Sequence, residues 1–253
     1  MGESHNAAAW LVDRHVNEGR GERIAVTSDG VNTSYAQLQL ELFRAQNALA
    51  DLGVSPGDRV AMVVKDDLSF MAIFLGALRS GIVPVPLSTM LSGAELGPIV
   101  HDSGAVALVI SDTYLGAINE VIPAARALKS VIVSGNAKTD SAGLGGVQLK
   151  DWSAFGDREP QPVAETTVDS PAFWLYSSGT TGVPKGVMHV HGSMRATAET
   201  YGDQVLNITE YDRFLSVAKL FFAFGLGNSL TFPLAVGGTA ILYSQAPTPA
   251  AFA

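Results

Sequence analysis

Apolar runs of strand character and helical stripes alternate along the chain in steps of roughly 20–30 residues. That pattern builds strand–helix–strand crossovers and a mostly parallel sheet. Ser34 and Gln37 have the spacing of a reciprocal helix cap. Leu38, Leu42, Ala45, Leu49 and Leu52 then recur at steps of four and three, one stripe of a helix that Gly53 ends. Pro56-Gly57-Asp58 predicts a turn, 59–64 a buried strand and 70–78 a helix closed by Gly81. The prolines of Val83-Pro84-Val85-Pro86 put that extended segment at a sheet edge. A short helix over 94–101 stops at Asp102-Ser103-Gly104, and 106–110 and 130–133 read as strands around a mostly helical stretch, 114–128. Gly143, Gly145 and Gly146 follow no dinucleotide spacing, so 136–146 reads as plain loop. The expected class is α/β, mostly parallel sheets flanked by helices.

Composition agrees and excludes several functions. Only 16% of the 253 residues are charged, against roughly 25% in an average domain, so many elements must be buried on both faces. A net charge of −8 argues against a partner recognised through a basic patch, whether nucleic acid or anionic membrane. The absence of cysteine rules out disulfides, thiolate metal sites and a cysteine nucleophile. Residues 1–23 mix charges without the apolar run of a signal peptide, and the cytoplasm is the expected compartment. No residue from Leu220 to Ala253 is charged, but Gly225, Gly227, Asn228, Pro233, Gly237 and Gly238 interrupt the run. It therefore predicts a buried helix plus strand rather than a membrane span. Pro247-Thr248-Pro249-Ala250 reads like the first turn of a helix, so the chain looks cut within an element. Residues 150–171, with Pro160, Pro162, Pro171 and five acidic residues, read as a surface connection between two sub-structures of one domain.

The chemistry is concentrated after a strand at 172–176. Ser177-Ser178-Gly179-Thr180-Thr181-Gly182-Val183-Pro184-Lys185-Gly186 packs four hydroxyls, three glycines and one lysine into ten residues. Small residues let backbone N–H groups approach an anion, the hydroxyls add donors, and the lysine adds a compact cation, which together suit a polyphosphate. The Walker spacing is absent, and 187–191 reads as a strand where a P-loop would continue into a helix. A flexible linker would not run from one apolar strand straight into another. His189 and His191 would share one strand face and could chelate a metal, but no third ligand is apparent and no metal-ligating residue is assigned. No Gly-x-Ser-x-Gly elbow is present, and Lys65-Asp66-Asp67 reads as a solvated turn.

Residues 177–186 resemble the phosphate-loop signature of the acyl-adenylate-forming enzymes, which include acyl- and aryl-CoA ligases, luciferases and peptide-synthetase adenylation domains. The resemblance implies that the loop closes over ATP phosphates. Ser177, Ser178, Thr180 and Thr181 are then donors, Gly179 and Gly182 permit close approach, and Lys185 neutralises the pyrophosphate; Lys185 and Thr180 are the catalytic candidates. His191 matches a histidine commonly found after this loop, but reads more readily as a packed core residue. Segments 6–12, 33–38, 56–60 and 81–86 also sit in the family's order.

A second patch, Lys219-Leu220-Phe221-Phe222-Ala223-Phe224-Gly225-Leu226-Gly227-Asn228, lies where that family has its acyl-pocket helix. It looks like the benzoate- and anthranilate-type CoA ligases. Phe224 and Phe232 would wall a flat slot, with Ala223, Gly225 and Gly227 leaving room. Benzoate-type members often carry tyrosine where Phe224 stands, so one polar contact is missing.

The implied reaction uses ATP, Mg2+ and an aromatic carboxylic acid to form acyl-AMP, then coenzyme A to form the thioester. The resemblance also implies segments this chain lacks: an adenine-binding stretch, acidic residues for ribose and magnesium, a hinge, and a small C-terminal domain with a catalytic lysine. On that expectation residues 1–253 are the incomplete N-terminal part of the large domain and do not turn over alone. The open alternatives are a non-catalytic aryl- or nucleotide-binding fragment, and an adenylation domain that uses a carrier protein instead of CoA. A homodimer also stays open.

Overall fold

The computed structural model describes residues 3–135, 146–156, 159–178, 184–245 and 248. A helical segment opens with a π-type turn, Ala9–Asp13, and continues as α1 (Arg14–Asn17). The strands are β1 (Ile24–Ser28), β2 (Val31–Ser34), β3 (Arg59–Val63), β4 (Val83–Pro86), β5 (Ala107–Ser111), β6 (Ser130–Ser134), β7 (Gln148–Asp151), β8 (Pro171–Ser178), β9 (Pro184–Val190), β10 (Arg213–Leu215) and β11 (Thr239–Leu242). The remaining helices are α2 (Tyr35–Asp51), α3 (Leu68–Arg79), α4 (Gly93–Ser103), α5 (Ile118–Ala124), α6 (His191–Thr197), α7 (Ala223–Leu226) and α8 (Phe232–Val236).

Strands β3 to β7 form one all-parallel sheet in the order β4-β3-β5-β6-β7. Its two faces are both covered, and successive residues choose between them. Val60, Met62, Val109 and Ile132 pack in a core with Phe70, Phe74, Leu42 and Leu49 of α3 and α2. Ala61, Val63, Leu108, Ile110 and Val133 pack on the other side with Leu96, Ile99 and Val121 of α4 and α5. This is why these strands read as unbroken apolar runs. β4 lies at the sheet edge, where its prolines have no ladder bond to lose.

The helix-capping signals of α2, α3 and α4 are met. Ser34 and Gln37 make both bonds of the capping box. Gly53, Gly81 and Gly104 all take positive φ, as helix-ending glycines do. Helices α2 and α3 cross closely at Gly76, where a Cβ would lie 2.6 Å from Ala45 Cβ and 2.9 Å from the Leu42 carbonyl oxygen. Gly76→Ala is therefore expected to destabilise the fold by about 1–3 kcal/mol through overpacking. Urea denaturation checks this, and an unchanged midpoint would contradict it.

The mostly helical reading of 114–128 is met with a shorter helix, and two features lie beyond the expectations. The stretch 114–128 is a 3-10 turn, Asp112–Ala117, followed by α5, which ends at Ala124. Pro123 has no N–H to continue the helical ladder, so the helix stops beside it. The hairpin β1–β2 was not anticipated, although Asp29-Gly30 marks it. Both residues take positive φ, the requirement of a type I′ turn. The second sheet, β10-β11-β1-β2, joins this hairpin to the end of the described chain through parallel β1–β11 pairing.

The uncharged stretch does form helix then strand: α7, a π-type turn Gly227–Thr231, α8 and β11. Its burial is one-sided. Leu226, Leu230 and Leu234 face the core, while Phe224, two residues before Leu226 and so nearly opposite on the helix, is 70% exposed. Among the described residues no helix is long and apolar enough to cross a membrane. The helical turn expected at 247–250 and the glycines Gly143 and Gly145 lie outside the described residues.

Candidate active site

The two ends of the hydroxyl-rich segment 177–186 lie on an antiparallel hairpin, β8–β9. Phe173 pairs with His189, Leu175 with Val187, Ser177 with Lys185 and Ser178 with Pro184. Gly179, Thr180, Thr181 and Gly182, between the two strands in sequence, lie outside the described residues. Side chains alternate along a strand, so Phe173, Leu175 and Ser177 share one face with Lys185, Val187 and His189. The other face carries Trp174, Tyr176 and Gly186. A Cβ on Gly186 would come within 3.2–3.3 Å of both rings, so glycine lets the two strands and their aromatics close up. Tyr176 donates to Asp102 at 2.6 Å; burial first, then this carboxylate, push its phenol further up in pKa.

At the far end of the Ser177–Lys185 face is a cavity of about 160 Å³. Its floor is Phe173, Leu175 and His189 of the hairpin. One wall is Ser193, Met194 and Thr197 of α6, and the other is Ala223, Leu226, Gly227 and Thr231. The second wall includes a π-type turn, a device that often re-aims side chains at functional sites. The His189 ring stacks on Phe173 with centroids 4.5 Å apart and planes 4° from parallel. Burial lowers its pKa.

Of the residues singled out for the slot, Ala223 and Gly227 line this cavity. Gly225 does not: its missing Cβ makes room for the carbonyls of Ala218 and Lys219 instead. Phe232 is 4% exposed and packs beside Tyr201, with ring centroids 5.9 Å apart, behind the cavity rather than in it. Phe224 faces outward. Phe173, Leu175, Met194 and Thr197 were not foreseen. The alternation 173/175/177 pointed to the first two; nothing in the sequence pointed to the α6 pair before that helix was placed.

The shared strand face expected for His189 and His191 is corrected, because β9 ends at Val190 and His191 begins α6. His191 is fully buried and accepts the Ala7 N–H through Nδ1 at 3.0 Å. Burial first, then His5, push its pKa down to about 4. Among the described residues no three His, Cys, Asp or Glu side chains are grouped as metal ligands would be.

The turn 65–67 is also corrected, from solvated to embedded. The chain brings Leu220 against it, a contact no local signal announces. Asp66 is 7% exposed and accepts the Leu220 N–H at 3.1 Å, with Lys219 Nζ 4.0 Å away. Burial raises its carboxyl to about 6 against the lowering pull of Lys219 and that N–H. Asp67 caps α3 through the N–H groups of Ser69 and Phe70. Lys65 pairs with Asp112 at 3.3 Å. The wall helix is also held at its other end. Arg14 donates to the Ala235 carbonyl, His15 to Leu234 at 2.7 Å and Tyr35 to Gly238 at 2.9 Å.

A larger cavity, about 490 Å³, lies against α5 between Ile118, Arg126 and Val147. It touches neither the hydroxyl-rich hairpin nor the wall helix, so size alone does not mark the chemistry.

A family model described as AMP-binding enzyme matches residues 12–253. The benzoate–CoA ligase of Thauera aromatica is 40% identical over 250 residues, which cover 98% of this chain and 46% of that protein. The 4-hydroxybenzoate–CoA/benzoate–CoA ligase of Rhodopseudomonas palustris is 41% identical over 96% of this chain and 44% of its own length. The solved benzoate CoA ligase of Burkholderia xenovorans superposes with a TM-score of 0.84 at 36% identity, covering 98% of this chain and 47% of its own. The anthranilate CoA ligase AuaEII in complex with anthranoyl-AMP gives 0.91 at 28% identity, covering all of this chain and 47% of its own. The chain thus spans less than half the length of these relatives.

Proposed function

The chain belongs to the AMP-binding enzyme family, and from that premise we propose that the protein carrying it activates an aromatic carboxylic acid for thioester formation with coenzyme A. The observation that carries the reading is the single hairpin face that runs from the cavity floor, Phe173 and His189, to Ser177 and Lys185 at the loop. Four residues of strand separate the two ends, roughly 13 Å at the rise of a β-strand. That span lets an acid anchored by its ring in the slot extend its carboxylate toward a nucleotide whose phosphates lie at the loop. Relatives named as benzoate and hydroxybenzoate CoA ligases support the aromatic class.

In the first half-reaction a carboxylate oxygen attacks the α-phosphorus of ATP and the bond to the β-phosphate breaks, giving acyl-AMP and pyrophosphate. In the second the CoA sulfur attacks the acyl carbon, AMP leaves and the thiol proton is released. The chain's task in the first step is to hold two reactants in line and to stabilise negative charge as it builds on pyrophosphate. Lys185 and the hydroxyls of 177–181, including Thr180, supply that stabilisation. Magnesium enters as part of Mg-ATP, held through the phosphates. Gly225 and Phe232 support the slot from outside it, and 150–171 connects the two sub-structures of one large domain. The cytoplasm, where ATP and CoA are both available, is its proposed compartment.

A panel of acids tests the reading on the full-length protein: benzoate, hydroxybenzoates and aminobenzoates against acetate and octanoate. Higher kcat/KM for an aromatic acid is expected, and preference for an aliphatic acid would refute the proposal. Ala223→Leu should fill the slot and cost about 1–3 kcal/mol of acid binding. It is read as a rise in KM for benzoate with KM for ATP unchanged, and an unchanged benzoate KM would remove Ala223 from the slot.

A further inference from the structure

We propose that Asp66 is a positioning residue for the aromatic-acid slot, acting through the 219–220 turn on the helix that forms its wall. Asp66 follows β3 in the five-stranded sheet, while the wall belongs to a distant part of the chain. The contact between them is direct: the buried carboxylate accepts the Leu220 N–H at 3.1 Å. Lys219 lies on the same turn, with Nζ 4.0 Å from Asp66 and donating to the carbonyls of Tyr243 at 2.8 Å and Gln245 at 2.7 Å. The turn is therefore held from two sides, by the sheet through Asp66 and by the segment after β11 through Lys219.

From this turn the path to the slot is short. The Lys219 carbonyl accepts the Phe222 N–H at 3.0 Å, and the Phe222 carbonyl accepts the Leu226 N–H at 2.8 Å. Gly225 packs against the Ala218 and Lys219 carbonyls so closely that even a methyl group there would collide with them. Ala223 and Leu226 of the same short helix, and Gly227 just after it, line the cavity. If the turn loses its anchor, the wall loses the surface it rests on. Asp67 keeps its own role as the cap of α3 and Lys65 keeps Asp112, so Asp66 is the member of the triplet directed at the turn. The assignment rests on the cavity being the acid's slot.

The test measures KM for benzoate, KM for ATP and kcat on the full-length protein. Asp66→Ala is expected to raise benzoate KM about tenfold, the size of one lost hydrogen bond to a charged group, with KM for ATP within about twofold. Asp66→Asn keeps an oxygen that accepts the Leu220 N–H and should restore most of the benzoate KM. An unchanged benzoate KM in Asp66→Ala, an equal rise in both KM values, or failure of Asn to rescue would each overturn the role. Should Asp66→Ala not fold, Gly225→Ala strikes the same path from the wall side and should raise benzoate KM selectively; an unchanged value would overturn the path. Absence of turnover with every aromatic acid of the panel in the wild type would refute the functional reading and this role together. That result is read before any variant, so the two failures are distinct.

Discussion

Lys185→Ala is expected to lower aromatic-acid-dependent pyrophosphate release by about a hundred- to a thousand-fold, the usual cost of removing one preorganised group that stabilises developing charge. Lys185 stands at the start of β9 directly opposite Ser177, so the ladder fixes its backbone beside the loop. Its partner strand carries Phe173 and Leu175 to the cavity floor on the same face. The lysine is thus positioned by the same hairpin that would seat the acid, and it lies at the end away from the ring. Binding of benzoate should therefore change little. Lys185→Arg should recover only part of the rate, because a planar fork replaces a compact ammonium charge. Pyrophosphate release and benzoate affinity in each variant check this, and unchanged release in Lys185→Ala would remove the residue from the reaction.

The largest effect on stability is expected at Arg79. It lies in the last turn of α3, is 7% exposed, and donates to Asp13 at 2.9 Å, Gln46 at 2.6 Å and the Gln161 carbonyl at 2.7 Å. Its guanidinium also lies 4.7 Å from the centre of the Phe43 ring. Arg79→Met would leave the buried Asp13 carboxylate with Gln39 as its remaining side-chain donor, at 2.9 Å. Breaking such a pair costs about 3–5 kcal/mol, whereas replacing both partners by apolar residues is often close to neutral. Urea denaturation should therefore show a large loss for Arg79→Met and a much smaller one for Asp13→Leu combined with Arg79→Met. Equal losses would mean that packing, not the unpaired charge, sets the cost. The same cluster straps the connection before β8 to α2 and α3, with Asn47 donating to the Glu159 carbonyl at 3.1 Å and Gln161 to Asn47 at 3.0 Å. That segment read as a surface connection because its prolines and acids are visible in sequence and its distant polar partners are not.

What could be read in advance was local. Ser34 with Gln37, Gly104 after α4 and the doubly apolar strands β3 and β5 carry their structure in adjacent residues. Asp29-Gly30 carried a hairpin just as plainly and went unused. Pairing across the chain had no such mark: nothing near Val26 tells that it will lie beside Ala240, and nothing near Asp66 tells that the Leu220 N–H will reach it. The slot was half legible for a related reason. Its helix was recognised, but which of Ala223, Phe224 and Gly225 faces inward depends on the helix phase, and packing against 218–219 fixes that. His189 and His191 failed as a pair because a two-residue spacing shares a face only while the strand lasts.

The most direct test of the central claim is a single-turnover mixture of the full-length protein, Mg-ATP and benzoate without coenzyme A, quenched and analysed by mass spectrometry. Benzoyl-AMP together with equimolar pyrophosphate is expected, and that intermediate should convert to benzoyl-CoA and AMP when coenzyme A is added. ATP cleaved to ADP and phosphate, or no benzoate-dependent cleavage at all, would contradict the claim.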